Sequence, residues 1–318
     1  MTKLQPLKIG LIGLGKMGQN HLRVLSLLKS VELVFVYDLN NATAERLGET
    51  YGVATHVDLE ALLPQVDAVV ICSPTSTHAE YVRKAAAHVK NIFVEKPMAE
   101  SLQEARALSA FALENGLTLQ VGFIERFNPA VQQLKTVLDK SAHVVSIDFT
   151  RTNKLSARIT DVDVVTDLMI HDIDLALYLN GPVQSVTAHG IAHGPMVAFA
   201  SAVLTHRNGR FSRIQASRIT EKKIRTIQAT CIDMYVDCEL VRKELLINRQ
   251  SEIQQEPGGP YTISAIEQTI EVQPQEALLT ELQAFVAFCR GQDVQVPTAR
   301  DGLEAAEICD QIQKALQQ

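Results

Sequence analysis

A glycine-rich stretch near the start of the chain constrains the fold more than any other feature of the sequence. An apolar run, Ile9 to Ile12, leads into the pattern Gly13-Leu14-Gly15-Lys16-Met17-Gly18, and leucines at helical spacing follow. A strand that turns through such glycines into a helix is typical of dinucleotide-binding folds. The first glycine allows the sharp turn, the second lets a pyrophosphate approach the backbone, and the third lets helix and strand pack closely. We therefore expect these six residues to hold a cofactor's phosphates at the helix N-terminus.

A carboxylate stands at the end of the second expected strand, at the distance that a dinucleotide fold requires. The strand, Glu32 to Tyr37, ends at Asp38, and 38 − 18 = 20 residues separate this Asp from the last glycine of the pattern. A carboxylate here binds ribose hydroxyls and repels a 2′-phosphate. Leu39, Asn40 and Asn41 supply no cation for such a phosphate, so the sequence favours NAD over NADP. The alternative, an ordinary glycine turn with Asp38 as a turn residue, fits the combined spacing and context less well.

The pattern of elements changes near residue 122, which predicts two domains. Before that point strands and helices alternate, including a short helix expected at 58–63, as in a doubly wound parallel sheet. Beyond it most apolar runs alternate with period two, as in an antiparallel sheet with one open face, and a helix at 165–179 interrupts them. We therefore expect an α/β protein, with a Rossmann domain at 1–122 and an α+β domain with an open, mostly antiparallel sheet at 123–318.

Composition and charge exclude several classes of function. The 318 residues are 46% hydrophobic and 21% charged, with a net charge of −6, as in a soluble globular protein. There is no basic run for nucleic acid, no apolar run of membrane-spanning length and no apolar signal segment. The five cysteines form no Cys-x-x-Cys pair. We therefore expect a cytoplasmic protein without a disulfide or zinc framework and without nucleic-acid or membrane partners.

Polar residues follow several expected strands of the first domain. Ser73 and the sequence Glu95-Lys96-Pro97 stand at such strand ends. Ligands bind beyond the carboxyl ends of parallel strands, so we expect these residues around one cleft. A lysine ammonium there can stabilise a developing alkoxide. The alternative for Lys96 is a solvated surface residue.

A second group of titratable residues falls on the expected helix of the second domain. Asp167 and His171 are four residues apart and Asp174 follows three residues later, which predicts one shared stripe. An imidazole is a suitable acceptor for an alcohol proton while hydride leaves for a nicotinamide, and Asp167 can orient it. A surface ion cluster or a core histidine is the alternative. We expect no metal, because no third histidine stands at ligand spacing.

Taken together, these motifs resemble those of the Gfo/Idh/MocA family of oxidoreductases. The resemblance covers nearly the whole chain, and its motifs are the glycine pattern, Ser73-Pro74-Thr75 with His78, Glu95-Lys96-Pro97, and Asp167-x-x-x-His171-x-x-Asp174. It implies NAD(P)-dependent oxidation or reduction of sugars and cyclitols, and an open sheet that builds homodimers or homotetramers. It also implies site residues. The catalytic, substrate-contacting residues would be Lys96, Asp167 and His171, and the cofactor site would include Ser73, Pro74, Thr75, His78, Glu95 and Lys96.

Two longer stretches are similar to the branch of this family that includes UDP-N-acetylglucosamine 3-dehydrogenase. They are residues 121–129 and 158–174. The likeness implies that Arg126 and Asn128 contact the substrate, since a cation and an amide suit a diphosphate and sugar hydroxyls. The alternative is that Asn128 caps a helix that begins at Pro129.

Three bulky residues depart from the family's pattern near the expected catalytic residues. Val164, Val165 and Met169 stand where the family often has small residues. They predict a bulkier pocket wall, which leaves the substrate open while the hydride chemistry stands. A dehydrogenase of a free sugar or inositol is therefore an alternative. A non-catalytic NAD-binding regulator is another, although a pure sensor would not need Lys96 and His171.

Overall fold

The computed structural model describes most of the chain, and the chain divides into two compact units. The described residues are 5–141, 143–153, 163–193, 196–249, 253–255, 261–263 and 266–317. The first unit comprises Met1–Ile124 and Ala277–Glu307, and the second comprises Glu125–Glu276 and Ile308–Gln318. Residues 158–162, the beginning of the second sugar-nucleotide stretch, lie outside the described residues.

A six-stranded parallel sheet forms the centre of the first unit. Its strands are β1 (Leu7–Ile12), β2 (Val31–Tyr37), β3 (Ala54–Thr55), β4 (Ala68–Ile71), β5 (Asn91–Glu95) and β6 (Thr118–Gly122). They lie in the order β3-β2-β1-β4-β5-β6. All four residues of β4 are buried, as expected for a strand covered on both faces. The strand order reverses between β1 and β4, which is the switch point where such sheets bind ligands.

Four helices connect these strands. They are α1 (Lys16–Leu27), α2 (Asn41–Tyr51), α3 (His78–Ala86) and α4 (Leu102–Glu114). Leu22 and Leu25 of α1 share a core with Ile9 and Val70 of the sheet. The helix expected at 58–63 is wrong: these residues form turns that lead into a short 3₁₀ helix, Leu63–Gln65. A proline within this short segment disfavours α-helical geometry in the residue before it.

An eight-stranded, mostly antiparallel sheet forms the centre of the second unit. Seven of its strands are β7 (Val144–Thr152), β8 (Val183–His193), β9 (Met196–His206), β10 (Phe211–Ser217), β11 (Ile224–Cys231), β12 (Met234–Glu239) and β13 (Glu244–Arg249). A separate two-stranded sheet follows, β14 (Ile253–Gln255) with β15 (Tyr261–Ile263), and β16 (Ile266–Ile270) is the eighth strand of the large sheet. The order is β16-β13-β12-β11-β7-β10-β9-β8, and β7 and β10 are its parallel pair. The expected open, antiparallel sheet is confirmed, whereas β16 was not predicted.

Two helices of the second unit cover one face of this sheet. The first, α5 (Pro129–Asp139), contacts β12 and β13, and the second, α6 (Ile170–Asn180), contacts β7 and β10. A π-helical turn, Val165–Met169, precedes α6. The helix expected over 165–179 therefore begins with a widened turn.

The chain then returns to the first unit. Two helices close it, α7 (Ala277–Cys289) and α8 (Ala299–Ala315). In α7, Leu282 and Phe285 are fully buried in the first unit's core, and Phe285 meets the edge of Phe93 on β5, with ring centroids 5.7 Å apart. The expected boundary at 122 lies 124 − 122 = 2 residues from the observed division, but a single domain over 123–318 is wrong for 277–307. The apolar face of α7 completes the sheet's cover in the first unit.

The described helices and the cysteines have two further properties. Among the described helices, none is long and apolar enough to cross a bilayer. The five cysteines are free thiols.

Candidate functional site

The three glycines of the loop after β1 have different surroundings. Gly13 has φ +90°, and an added Cβ would lie 2.5 Å from the backbone nitrogen of Ser73. A Cβ at Gly18 would lie 1.9 Å from the carbonyl oxygen of Gly13. An added Cβ at Gly15 would meet no atom within 4 Å. Gly13 and Gly18 are therefore required by the close approach of backbone, whereas Gly15 leaves open space at the N-terminus of α1, where no side chain caps the helix.

Asp38 joins the glycine loop to the end of β2. Its Oδ2 accepts a hydrogen bond from the backbone N–H of Leu14 at 2.7 Å, and its Oδ1 accepts one from Asn40 at 2.8 Å. The carboxylate is partly buried and borders a cavity. Asp38 is therefore held in a fixed orientation at the edge of the cavity, as an acceptor of ribose hydroxyls must be.

The cavity beside Asp38 has a volume of about 500 Å³. Its lining comes from the ends of β1, β2 and β4 and from α3, namely Ile12, Gly13, Gly15, Tyr37, Asp38, Leu39, Asn40, Cys72, Ser73, Pro74, Thr77 and Tyr81. Tyr37 and Tyr81 meet edge to face, with ring centroids 6.3 Å apart. Burial, together with the neighbouring Tyr37, raises the pKa of Tyr81 to about 12, so the phenol stays protonated. Neither tyrosine was expected from the sequence, although Tyr37 directly precedes Asp38.

His78 joins the loop after β4, which lines the cavity, to the loop after β5. Its Nδ1 lies 2.9 Å from the carbonyl oxygen of Pro97, and its Nε2 lies 2.9 Å from that of Ser73. The side chain is 1% exposed, and burial lowers the pKa of its imidazole. Thr77 donates to the hydroxyl of Ser73 at 2.8 Å. Ser73 and Pro74 line the cavity, whereas His78 and the partly buried Thr75 stand outside its lining. An effect of His78 on a cofactor would act through the loops.

The lysine segment follows β5. Glu95 is 8% exposed, and its Oε2 accepts a hydrogen bond from the backbone N–H of Lys96 at 3.2 Å. Its Oε1 lies 2.7 Å from Nε2 of His21, a fully buried residue of α1. The Lys96–Pro97 peptide is cis. Glu95 therefore has two partners within the first unit, and its expected contact with a cofactor stays a prediction.

One group of possible metal ligands converges in the described part of the first unit. The ligand atoms of His21, Cys72 and Glu95 lie within 4.8 Å of one another, and all three residues are buried. Burial, with further contributions from Glu95 and Glu281, raises the pKa of the Cys72 thiol. The thiol therefore stays protonated unless a cation offsets these effects.

In the second unit, Asp167 lies in the π-helical turn and His171 in the first turn of α6. Oδ2 of Asp167 accepts a hydrogen bond from Nη2 of Arg218 at 2.6 Å, and the Arg218 side chain is 3% exposed. Arg218 follows β10, and its backbone N–H donates to Ala198 of β9 at 2.8 Å. The sheet thus fixes Asp167 through a buried arginine. The sequence did not single out Arg218, because nothing local relates it to a residue 51 positions away.

Asp174, the third residue of the expected titratable stripe, is bound to a buried arginine. This carboxylate is 1% exposed and binds Arg126, with Nη2 to Oδ1 at 2.6 Å and Nε to Oδ2 at 2.9 Å. The guanidinium of Arg126 also lies 4.9 Å from the ring centre of Tyr178. Arg126 is itself only 8% exposed. Its charge is therefore engaged inside the second unit, and the expected substrate contact of Arg126 stays a prediction without support from these bonds.

Asn128 caps α5, as the alternative interpretation of the sequence held. Its Oδ1 accepts a hydrogen bond from the backbone N–H of Ala130 at 3.1 Å. Its Nδ2 donates to Glu125 at 3.2 Å and to the carbonyl oxygen of Leu240 at 3.4 Å. These bonds account for a buried asparagine without a substrate. Its predicted substrate contact likewise has no support from them.

A buried ion cluster holds α6 against β7. Arg151, 2% exposed, donates to Asp172 from Nε and Nη2 at 2.8 Å each and to Glu125 from Nη1 at 2.8 Å. Burial raises the pKa of Asp172. Burial acts in the same direction on Glu125, but Arg151 outweighs it and the pKa of Glu125 is lowered. Because Asp172 directly follows His171, this cluster fixes the position of the helix turn that carries the histidine.

Comparison with known proteins identifies the family. The family model described as "Oxidoreductase family, NAD-binding Rossmann fold" (GFO_IDH_MocA) matches residues 7–123, and the "GFO/IDH/MocA C-terminal domain" matches residues 142–232. The chain is 31% identical to UDP-N-acetylglucosamine 3-dehydrogenase of Acidithiobacillus ferrooxidans, over 90% of this chain and 92% of that protein. The chain belongs to the Gfo/Idh/MocA family. It is therefore an oxidoreductase with an NAD-binding Rossmann fold.

The Gfo/Idh/MocA family includes further proteins that are similar to this chain. The chain is 36% identical to scyllo-inositol 2-dehydrogenase (NAD(+)) of Bacillus subtilis, over 58% of this chain and 57% of that protein. The solved structure of UDP-N-acetylglucosamine 3-dehydrogenase from Acidithiobacillus ferrooxidans matches with a TM-score of 0.88 and 28% identity, covering 98% of each chain. The expected family and fold class are confirmed.

Proposed function

We propose that this oxidoreductase uses NAD rather than NADP. The described residues fit a dinucleotide: Gly15 leaves space at the start of α1, and Asp38 presents a fixed carboxylate at the cavity's edge. A 2′-phosphate beside Asp38 would meet like charge, and Leu39 to Asn41 offer no compensating cation. The orientation of Asp38 is the observation that carries this proposal.

We propose that the substrate is a sugar nucleotide, with UDP-N-acetylglucosamine, oxidised at its 3-hydroxyl, as the first candidate. The support is similarity over nearly the whole chain to a protein of that name, in sequence and in fold. A shared Rossmann unit alone says little about the substrate, because one fold carries many functions. Similarity over both units is stronger support, since it includes the residues of the second unit that are proposed for the site.

The proposed chemistry assigns one step to each of two residues. His171 accepts the proton of the substrate hydroxyl, while the electron pair of the adjacent C–H bond leaves as hydride and the carbon becomes a ketone. When bound, NAD⁺ supplies the nicotinamide C4 that accepts this hydride. The Lys96 ammonium stabilises the negative charge that develops on the substrate oxygen. The reverse assignment, with Lys96 as the proton acceptor, uses the same residues.

Asp167 has a supporting role in this proposal. Its carboxylate is bonded to Arg218 at 2.6 Å, so the pair carries no net charge and the position of the carboxylate is fixed from the sheet. A fixed carboxylate in the turn before His171 can orient the imidazole and stabilise its protonated form. We propose this orienting role for Asp167.

The deciding experiment follows NADH formation with purified protein and NAD. UDP-N-acetylglucosamine, free N-acetylglucosamine and myo-inositol are compared, with hydrazine present to trap the ketone, and NADP replaces NAD in a parallel series. We expect turnover only when the sugar nucleotide is the substrate and NAD is the cofactor. Lys96→Met should abolish turnover while NAD binding, measured by calorimetry, persists. Unchanged turnover in this variant would contradict the role of Lys96.

A dehydrogenase of a free cyclitol is the second candidate, since the chain is 36% identical to scyllo-inositol 2-dehydrogenase over 58% of its length. Turnover of myo-inositol without turnover of the sugar nucleotide would select this candidate. Tight NAD binding without turnover of any of the three compounds would contradict both candidate substrates.

We also propose that the protein is a cytoplasmic homodimer or homotetramer that associates through the open face of the eight-stranded sheet. The free thiols suit a reducing compartment. Helices α5 and α6 cover the other face, while Val203 and Tyr235 are 38% and 37% exposed. Light scattering on protein eluted from a size-exclusion column measures the molar mass of the assembly. A monomer at micromolar concentration would refute the proposed assembly.

A further inference from the structure

Buried side chains of the first unit contact the segment that carries Lys96. Lys96 directly follows β5, at the carboxyl edge of the parallel sheet. Its backbone N–H donates to Oε2 of Glu95 at 3.2 Å. The placement of Lys96 therefore depends on where the Glu95 carboxylate lies.

The Glu95 carboxylate is itself fixed by His21. Nε2 of His21 lies 2.7 Å from Oε1 of Glu95, so the Nε2 nitrogen is the one that donates. The His21 ring is fully buried and meets the edge of Phe93, with ring centroids 5.2 Å apart. An imidazole without rotational freedom is a precise anchor for a carboxylate.

Gly122 of the neighbouring strand makes room for this arrangement. A Cβ at Gly122 would lie 2.9 Å from Oε2 of Glu95. The carboxylate thus occupies space that any other residue at 122 would fill. His21, Glu95 and Gly122 belong to three separate elements, α1, β5 and β6, which meet at one buried point.

We propose that His21 is a positioning residue that connects the glycine-loop helix to Lys96 through Glu95. Helix α1 begins at the glycine loop and carries His21 in its second turn. One oxygen of Glu95 accepts from α1 and the other accepts from the backbone of Lys96. These bonds therefore hold the start of α1, where a cofactor would bind, and the lysine after β5 at a constant position relative to each other. The consequence for turnover rests on the proposed function, whereas the positioning of Lys96 does not.

A competing explanation of the same residues is a bound metal ion. His21, Cys72 and Glu95 bring a nitrogen, a sulfur and an oxygen within 4.8 Å, a ligand set that suits zinc. A zinc ion there would replace the His21–Glu95 hydrogen bond. Metal analysis of the purified wild type, with and without added zinc, therefore belongs to the test.

The test compares His21→Gln, whose amide nitrogen can still donate to Glu95, with His21→Leu, which removes the donor. His88→Leu is the matched control, because His88 lies in the turn after α3 and pairs with the exposed Glu60. Trinitrobenzenesulfonate labels each protein without turnover, and mass spectrometry compares the rate at Lys96 with the rate at the exposed Lys314. We expect His21→Leu to change this ratio severalfold, and His21→Gln and His88→Leu to leave it near the wild-type value.

A second measurement separates positioning from mere stability. If the wild type turns over a sugar, His21→Leu should lower kcat by about a hundredfold, the size of effect that small misplacements cause. The Kd for NAD should stay near the wild-type value, and His21→Gln should restore most of kcat. Absence of turnover by the wild type refutes the proposed substrate. The labelling rates at Lys96 test the positioning role independently of turnover. An unchanged Lys96 labelling ratio in a folded His21→Leu protein, or stoichiometric zinc that is lost in both His21 variants, overturns the positioning role.

Discussion

Replacing Arg151 by methionine tests how the second unit holds the helix that carries His171. Methionine keeps an apolar stem but removes three hydrogen bonds of 2.8 Å, two to Asp172 and one to Glu125. The cluster is screened from water, since the side chains of Arg151 and Asp172 are 2% and 3% exposed. Removing one partner of such a buried pair costs about 3–5 kcal/mol, because the remaining charges stay buried without compensation. Arg225, 3.5 Å from Glu125, offsets only part of this loss.

Arg213→Met is the matched control. Arg213 also lies on a strand of the same sheet and pairs with an aspartate, Asp148, but its side chain is 62% exposed. Removing an exposed pair costs about 0–1 kcal/mol. Urea unfolding followed by circular dichroism gives the free energies of unfolding. The two units can unfold in separate transitions. Hydrogen exchange of the amides in β7 and α6 therefore shows whether the lost stability belongs to the second unit.

The pH dependence of the Arg151→Met deficit has a definite sign. In the wild type, Arg151 opposes the effect of burial on the pKa of both carboxyls. Without it, the folded-state pKa of Glu125 rises above its unfolded value, and that of Asp172, which is already raised, rises further. The folded variant therefore gains stability by protonation of these carboxyls and loses it as pH rises through their raised pKa. The deficit relative to the wild type should therefore widen as pH rises from about 4 to 7. A deficit no larger than that of Arg213→Met, or one independent of pH, would refute the reasoning.

Three further predictions concern the candidate site. Asp38→Ala should shift the ratio of kcat/KM for NAD over NADP towards NADP by roughly tenfold, or about 1.4 kcal/mol, because the repulsion of a 2′-phosphate is lost; an unchanged ratio would contradict the role of Asp38. Arg218→Met should release Asp167 from its bond to the sheet and lower kcat by about tenfold or more with little change in KM, whereas a change confined to KM would place Arg218 at the substrate instead. Burial lowers the pKa of His78, so its contribution to stability is present above about pH 6.5 and is lost as pH falls. The free energy of unfolding should thus fall more steeply between pH 7 and 5 in the wild type than in His78→Gln.

The features that the sequence predicted well are those that depend on neighbouring residues. The apolar run of β4, the glycine turn and the alternation along β9 are local patterns, and each maps directly onto a strand or a turn. The cap at Asn128 was among the interpretations because asparagine before proline is a local signal. The same holds for Asp38, whose spacing from the glycines is set by one βα unit.

The features that were missed depend on distant partners. Arg151 contacts residues 21 and 26 positions away, and Arg218 contacts one 51 positions away, so no local pattern marks either arginine. The apolar face of α7 was visible in the sequence, but periodicity does not tell which unit that face covers. The widened turn before α6 was missed because its residues also suit an ordinary helix.

The return of α7 to the first unit has a consequence for the order in which the two units can fold during synthesis. During synthesis the six strands of the parallel sheet leave the ribosome first, yet Phe93 lacks its cover until Phe285 has been made. The larger segment of the second unit, Glu125–Glu276, is translated in between. The cofactor-binding unit thus completes its core only when synthesis is nearly finished. A nascent chain that pauses before α7 therefore leaves the apolar surface around Phe93 without this cover and open to chaperones.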